Sequence, residues 1–208
     1  MSEEARAPWS ELISEGRTLI SIAVVLGVAL HALQILVTVI IMPTVVADIG
    51  GAAYFTWTAM IYSIGSILGT ASTGPLWARL GARQGHMLSS LLFVIAASAC
   101  ALAPDMGWLI GARALQGYAG GALLGGSMAL IGGMFPASLR TRILACFQGT
   151  WMVAQLLGPV LGGAFAEIGW WRGSFWCMVP LALILMVLIW FKIPKTTFTT
   201  NTSMRPLS

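Results

Sequence analysis

Arg113 is the one charged residue of this sequence that falls inside a long apolar run. A guanidinium stays ionised, and placing it in hydrocarbon costs several kcal/mol unless a partner or a hydrated cavity receives it. Gln116 lies three residues on, on the same helical face, and adds an amide to the same spot. His31 and Gln34 repeat the arrangement in the first apolar run, and a histidine there can titrate in the physiological range. Such residues suit a polar pathway through a membrane. They equally suit interhelical hydrogen bonds, or, for Arg113, a side chain reaching out to the surface. Gln148 and Gln155, two turns apart in a later run, pose the same choice, while Trp57, Tyr62 and Trp151 offer rings for a lipophilic ligand or for packing.

Other chemistry has few residues to work with. The acids are Glu3, Glu4, Glu11, Glu15, Asp48, Asp105 and Glu167, each in a tail or near the end of an apolar run, so no carboxylate pair sits at one depth for acid–base catalysis. Neither GxSxG nor HExxH occurs. Cys100, Cys146 and Cys177 are spread over three apolar segments without ligand spacing, which supports neither a zinc site nor a disulfide framework. The reading is a non-enzyme without metal or organic cofactor.

These residues must be carried by membrane helices. The chain is 58% hydrophobic and 9% charged with a mean hydropathy of +0.87, too few charges to cover a soluble domain. Six runs read as spans, over residues 19–42, 55–77, 87–103, 108–135, 143–168 and 173–193. The organisation is thus a tail at 1–18, a six-helix bundle at 19–193 and a polar, disordered tail at 194–208. The acidic start is unlike a cleaved signal peptide. If the helices alternate, Arg6, Arg17, Arg79, Arg83, Arg140, Arg142, Lys192, Lys195 and Arg205 share one side and Arg172 takes the other. That bias puts both termini in the cytoplasm. The net charge of +4 is scattered between apolar runs and does not point to nucleic acid. Trp108, Trp170 and Trp171 at span ends fit an aromatic belt.

Glycine is patterned. Gly117, Gly121 and Gly125 stand four apart in the fourth run, and Ala154, Gly158, Gly162 and Ala166 do so in the fifth, giving faces on which helix backbones approach closely. Gly74, Gly81 and Gly85 map onto Gly162, Gly169 and Gly173 at an offset of 88 residues, as expected of two three-helix repeats.

Several stretches, in order over all six spans, resemble the major facilitator superfamily, and within it the N-terminal half of the fourteen-span drug:proton antiporters. Leu33 to Pro43 followed by Thr44-Val-Val-Ala-Asp48-Ile-Gly50 resembles the first-span signature, and Trp57 with Tyr62 the second. Gly74-Pro-Leu-Trp-Ala-Arg79-Leu-Gly81-Ala-Arg83 is similar to the loop motif between spans two and three. Leu109-Ile-Gly-Ala-Arg113-Ala-Leu-Gln116-Gly117 is similar to the fourth-span motif, and Gly158-Pro159-Val-Leu-Gly162-Gly163 to the fifth-span antiporter motif. Trp171-Arg172 resembles the segment before span six.

The resemblance implies one half of the facilitator fold in a cell's cytoplasmic membrane, exporting lipophilic compounds against inward proton flow. It gives Arg113 a part in proton coupling; together with the polar and aromatic residues singled out above, the expected substrate and proton pathway is Arg113, Gln116, His31, Gln34, Gln155 and Trp151. Arg79 and Arg83 would serve an inner latch, and Gly158 and Pro159 would shape the cavity seal. The sequence also departs from the family: Gln34 stands where an acid is usual, and Ala78 where an Asp is expected before Arg79. An amide cannot carry a proton, which leaves His31 as the group to substitute. Working members have at least twelve spans, so the partners expected are the bilayer, a small lipophilic substrate and a second six-span half or a second copy. The alternative is a truncated or decayed transporter fragment, or a non-transporting module that binds a full transporter.

Overall fold

The computed structural model describes Leu12 and residues 17–193, so the tails read at 1–18 and 194–208, with the disorder expected of the latter, lie outside the described residues apart from Leu12, Arg17 and Thr18. The described chain is a bundle of long helices: α1 (Arg17–Ile49), α2 (Phe55–Leu80), α3 (Ala82–Ala101), α4 (Met106–Met134), α5 (Ala137–Glu167), α6 (Trp171–Trp176) and α7 (Met178–Lys192). The sixth span is α6 and α7 together, interrupted at Cys177. Pro180 accounts for the break, because it has no N–H to donate to the carbonyl of Trp176 four residues earlier. Pro43 does not stop α1, which loses one hydrogen bond there and runs on to Ile49 before Gly50 and Gly51 turn the chain at φ 72 and 79. Asp105 opens α4 as expected of a cap, its Oδ1 accepting from the Trp108 N–H at 2.8 Å.

Four of the spans are long and apolar enough to cross a bilayer by composition: α1, α3, α5 and the stretch Trp171–Phe191. Helices α2 and α4 fall short of that threshold because they are rich in glycine and hydroxyl residues, and they pack most extensively on each other. Their hydroxyls are used across the contact. Thr70 donates to the Gly121 carbonyl at 2.9 Å, and Ser72 to the Tyr118 hydroxyl at 2.8 Å. The glycine face on α4 is where the backbones meet: a Cβ on Gly117 would strike the Tyr62 carbonyl, and one on Gly121 that of Ser66. Gly65 and Gly69 on α2 answer it with equally close approaches to Ala114 and Tyr118. With no hydrophobic force between helices in lipid, this close packing and the interhelical bonds hold the pair together.

The second tight pair is α1 with α5, where Gly158 lies against Leu36 and Gly162 against Ile40 and the Val37 carbonyl. The 88-residue echo has a counterpart in the backbone, since Gly81 and Gly169 both end a helix at positive φ, 82 and 65. Gly85 and Gly173 then each pack against a tryptophan, Trp77 and Trp170.

The two ends of the bundle differ. At one, Asp48 of α1 accepts from Arg172 and, at 3.0 Å, from the Trp171 indole, while Arg172 also donates to the Ala103 carbonyl at 3.0 Å. This clamp ties α1, the end of α3 and α6. It also changes the reading of the tryptophans: Trp108 and Trp170 are each 55% exposed, as belt residues should be, whereas Trp171 is 1% exposed and is a packing residue. At the other end Arg140 caps α4 through the Gly132 and Phe135 carbonyls at 2.6 and 3.1 Å. Arg83 lies over the Trp190 ring at 4.4 Å, joining the start of α3 to α7.

Candidate functional site

Arg113 sits seven residues into α4, about 10 Å along the helix axis. It is 1% exposed, so the alternative of a side chain reaching the surface is excluded. Its Nη1 donates to Gln116 Oε1 at 2.7 Å, and its guanidinium lies 4.1 Å from the centre of the Tyr62 ring on α2. A desolvated cation over an aromatic face gains about 2 kcal/mol, which offsets part of the burial cost. The Cys100 thiol on α3 donates to the same Gln116 oxygen at 3.5 Å. Nε of Arg113 and Nε2 of Gln116 have no partner among the described residues.

Tyr62 extends the network. Its hydroxyl is 3.0 Å from Nδ1 of His31 on α1, with the two rings stacked at 5.6 Å, and His31 meets the edge of Trp151 on α5 at 5.9 Å. The sequence placed Arg113, Gln116, His31 and Trp151 on a common pathway, and the fold brings them into one line through Tyr62. Gln34 is buried a turn away, with Nε2 donating to Thr38 Oγ1 at 3.1 Å and Oε1 unpartnered among the described residues. Gln155 is not part of the line. It lies on the exposed face of α5 beside Met152 and Leu156, as does Gln148.

The line joins two openings. A groove of about 840 Å³ between α2, α4 and α5 is lined by Thr73, Gly74, Trp77, Gly125, Phe147 and Trp151, toward the Arg83 end. A pocket of about 220 Å³ between α1 and α2, toward the Asp48 end, has Thr38, Thr58, Tyr62 and Arg113 in its wall. Trp151 belongs to the first and Arg113 to the second.

The motif residues are distributed around this core. Gly74 and Gly163 have open space where a Cβ would go, and Pro159 is exposed. Arg79 is exposed beyond the groove, and Gly81 makes the turn to Arg83. One buried cluster was not singled out from the sequence: His86 of α3 is 0% exposed, meets the Trp77 ring at 5.0 Å in a tilted arrangement, and has neither ring nitrogen partnered among the described residues. A histidine with Ser89 and Ser90 in a short apolar run is a signal that was present in the sequence.

Tyr62→Phe tests the joint in the line. It keeps the ring under Arg113 and removes the hydroxyl from His31, leaving a buried imidazole nitrogen unpartnered. The expected cost is about 1–2 kcal/mol, read as a lower midpoint of unfolding in detergent.

A bundle of this kind, with a polar line joining two cavities between its helices, is that of a polytopic α-helical membrane protein. The chain belongs to the Major Facilitator Superfamily, whose family model matches residues 24–206. Two probable multidrug-efflux transporters of Mycobacterium tuberculosis are 39% identical to it over 181 residues, covering 87% of this chain and 38% of each of theirs. An efflux pump of Dothistroma septosporum is 34% identical over 186 residues, covering 86% of this chain and 31% of the pump. A multidrug transporter of Bacillus subtilis is 28% identical over 173 residues, covering 83% and 32%. The chain thus spans less than two fifths of the length of these relatives. A crystal structure of a D-xylose–proton symporter superposes with a TM-score of 0.75 at 20% identity, over 86% of this chain and 49% of the symporter, and has the same fold.

Proposed function

We propose that this chain is the N-terminal six-span half of an efflux transporter that moves lipophilic or amphipathic compounds out of the cell against inward proton flow. The observation that carries the reading is the continuous line from Trp151 through His31 and Tyr62 to Arg113 and Gln116, which joins a groove on one side of the bundle to a pocket on the other. Substrate sites in such folds lie near the bilayer midplane between two repeats or halves, so one six-span unit supplies part of a site and a second six-span unit, separate or a second copy, supplies the rest. The exposed apolar faces of α2 and α5, with Ile67 and Leu156 outward, suit either that second unit or lipid. His31 is the titratable member of the line, and Arg79 with Arg83 lies at the end that the positive-inside bias places in the cytoplasm, together with both termini.

A second reading is favoured by Gln34 and Ala78. Among the described residues the acids are Asp48, Asp105 and Glu167, all at helix ends, so the bundle interior has no carboxylate to carry protons. That suits a non-transporting membrane module. The test is the mass of the purified chain in nanodiscs, followed by drug-dependent proton flux in proteoliposomes. A stable dimer with such flux, reduced by His31→Gln, is the expected result. A dimer or a reconstituted pair of halves without flux overturns the transport reading in favour of the module.

A further inference from the structure

The smaller pocket ends on a permanent cation that has no anionic partner among the described residues. Arg113 is buried, forms part of the pocket wall, and makes one hydrogen bond among the described residues, to the neutral oxygen of Gln116. Its other neighbours are the Tyr62 ring, the Cys100 thiol beside Gln116, and His31 behind Tyr62, none of which is a carboxylate. Nε of Arg113 has no acceptor among the described residues. The rest of the wall is mostly apolar, with Ile35, Val39 and Met42 from α1 and Phe55 from α2, relieved by the hydroxyls of Thr38, Thr56, Thr58 and Ser63.

A buried guanidinium with an unpartnered Nε and no counter-charge among the described residues is costly, and an anion offered to it forms charge-assisted hydrogen bonds in a low-dielectric wall. The apolar remainder of the pocket selects for a hydrocarbon or aromatic body attached to that anion. We propose that the pocket between α1 and α2 is a binding site for a lipophilic monoanion, its carboxylate or sulfonate on Arg113 and its apolar body against Ile35, Val39 and Phe55. The site discriminates against lipophilic cations of the same shape, since these would bring a second positive charge to an uncompensated one. The proposal deepens the efflux reading by naming a substrate charge, and rests on that reading only for the direction of movement.

The same chemistry could be presented by a ligand from solution or by the headgroup of an anionic lipid, and the test separates them. The whole chain in nanodiscs of zwitterionic lipid is titrated with 2-naphthoate and with 2-naphthylmethylammonium, following naphthalene fluorescence and subtracting partition into empty nanodiscs. The expected result is binding of naphthoate about tenfold tighter than of the ammonium compound. Arg113→Met should bring naphthoate down to the level of the cation. Ala59→Trp, which fills the pocket mouth and leaves the charge in place, should do the same, and so tests the site even if the first variant does not fold. Equal affinities in the wild type, or a preference for naphthoate that survives in either folded variant, overturns the proposal. Repeating the titration with phosphatidylglycerol in the nanodiscs assigns the source: an unchanged affinity supports a soluble ligand, and competition supports the monoanion site with lipid as its occupant. Because the readout is binding to this chain, an absence of proton flux leaves the result standing, and a failure here leaves the transport reading standing.

Discussion

Gly121→Ala should be among the most damaging of glycine-to-alanine changes in this chain, lowering stability by about 3 kcal/mol, at the upper end for an overpacked core. The added Cβ would overlap the Ser66 carbonyl, which belongs to the backbone of α2 and cannot rotate away as a side chain can. Relief requires the two helices to separate, and separation also lengthens the Thr70 bond to the Gly121 carbonyl, now 2.9 Å. Since α2 and α4 are the two helices least able to enter a bilayer by apolarity alone, their contact is what keeps their hydroxyls and glycines satisfied. Gly163→Ala is the comparison, because nothing lies within 4 Å of the position its Cβ would take. It should be neutral or stabilising by up to about 1 kcal/mol through helix propensity. Cys100 is buried at 0% exposure, so with the partly exposed Cys146 and Cys177 replaced by Ser, the rate at which a thiol-reactive dye gains fluorescence on heating reports the unfolding of both variants. Equal melting of the two would mean that the four-residue spacing of glycines is compositional and not structural.

That pair of glycines also shows where the sequence was legible. The span count followed from hydropathy, and the glycine faces on α4 and α5 could be read because a four-residue spacing on a helix fixes a face without knowledge of its partner. What a face meets is a tertiary fact, so the matching Gly65 and Gly69 on α2 went unread. The same limit applies at the site. Arg113 and Gln116 are three apart on one helix, and their hydrogen bond was foreseeable from spacing. The Tyr62 contacts that connect Arg113 to His31 come from three different helices, and periodicity has no information on that. Trp171 was read as a belt residue because it is a tryptophan at a span end, yet the Asp48 that holds it is 123 residues away. Gln155 lies apart from the buried line, because the rotation of α5 about its axis, set by Gly158 and Gly162 against α1, turns it to the exposed face of this unit.

Arg113→Met is expected to leave the bundle as stable as the wild type or to stabilise it by up to about 2 kcal/mol, because exchanging a buried charge for an apolar chain of similar length removes a desolvation cost that one hydrogen bond and one ring offset only in part. Met is flexible enough to fill the space beneath Tyr62 without strain. Arg113→Ala should behave oppositely and destabilise, since it vacates the volume and leaves Gln116 Oε1 with the weak Cys100 donor. The contrast separates charge from packing in a single position, and unfolding midpoints of the three proteins in one detergent measure it. If transport proceeds through the line joining the two cavities, the stable Met variant should still lose drug-dependent proton flux by at least about tenfold, in reconstitution with whatever second half completes the site. A Met variant that melts far below the wild type would show that Arg113 is retained for the fold. A variant that is stable and fully active would show that neither the fold nor the proton pathway depends on it. A stable but inactive one is what a group kept at a cost in stability for its function requires.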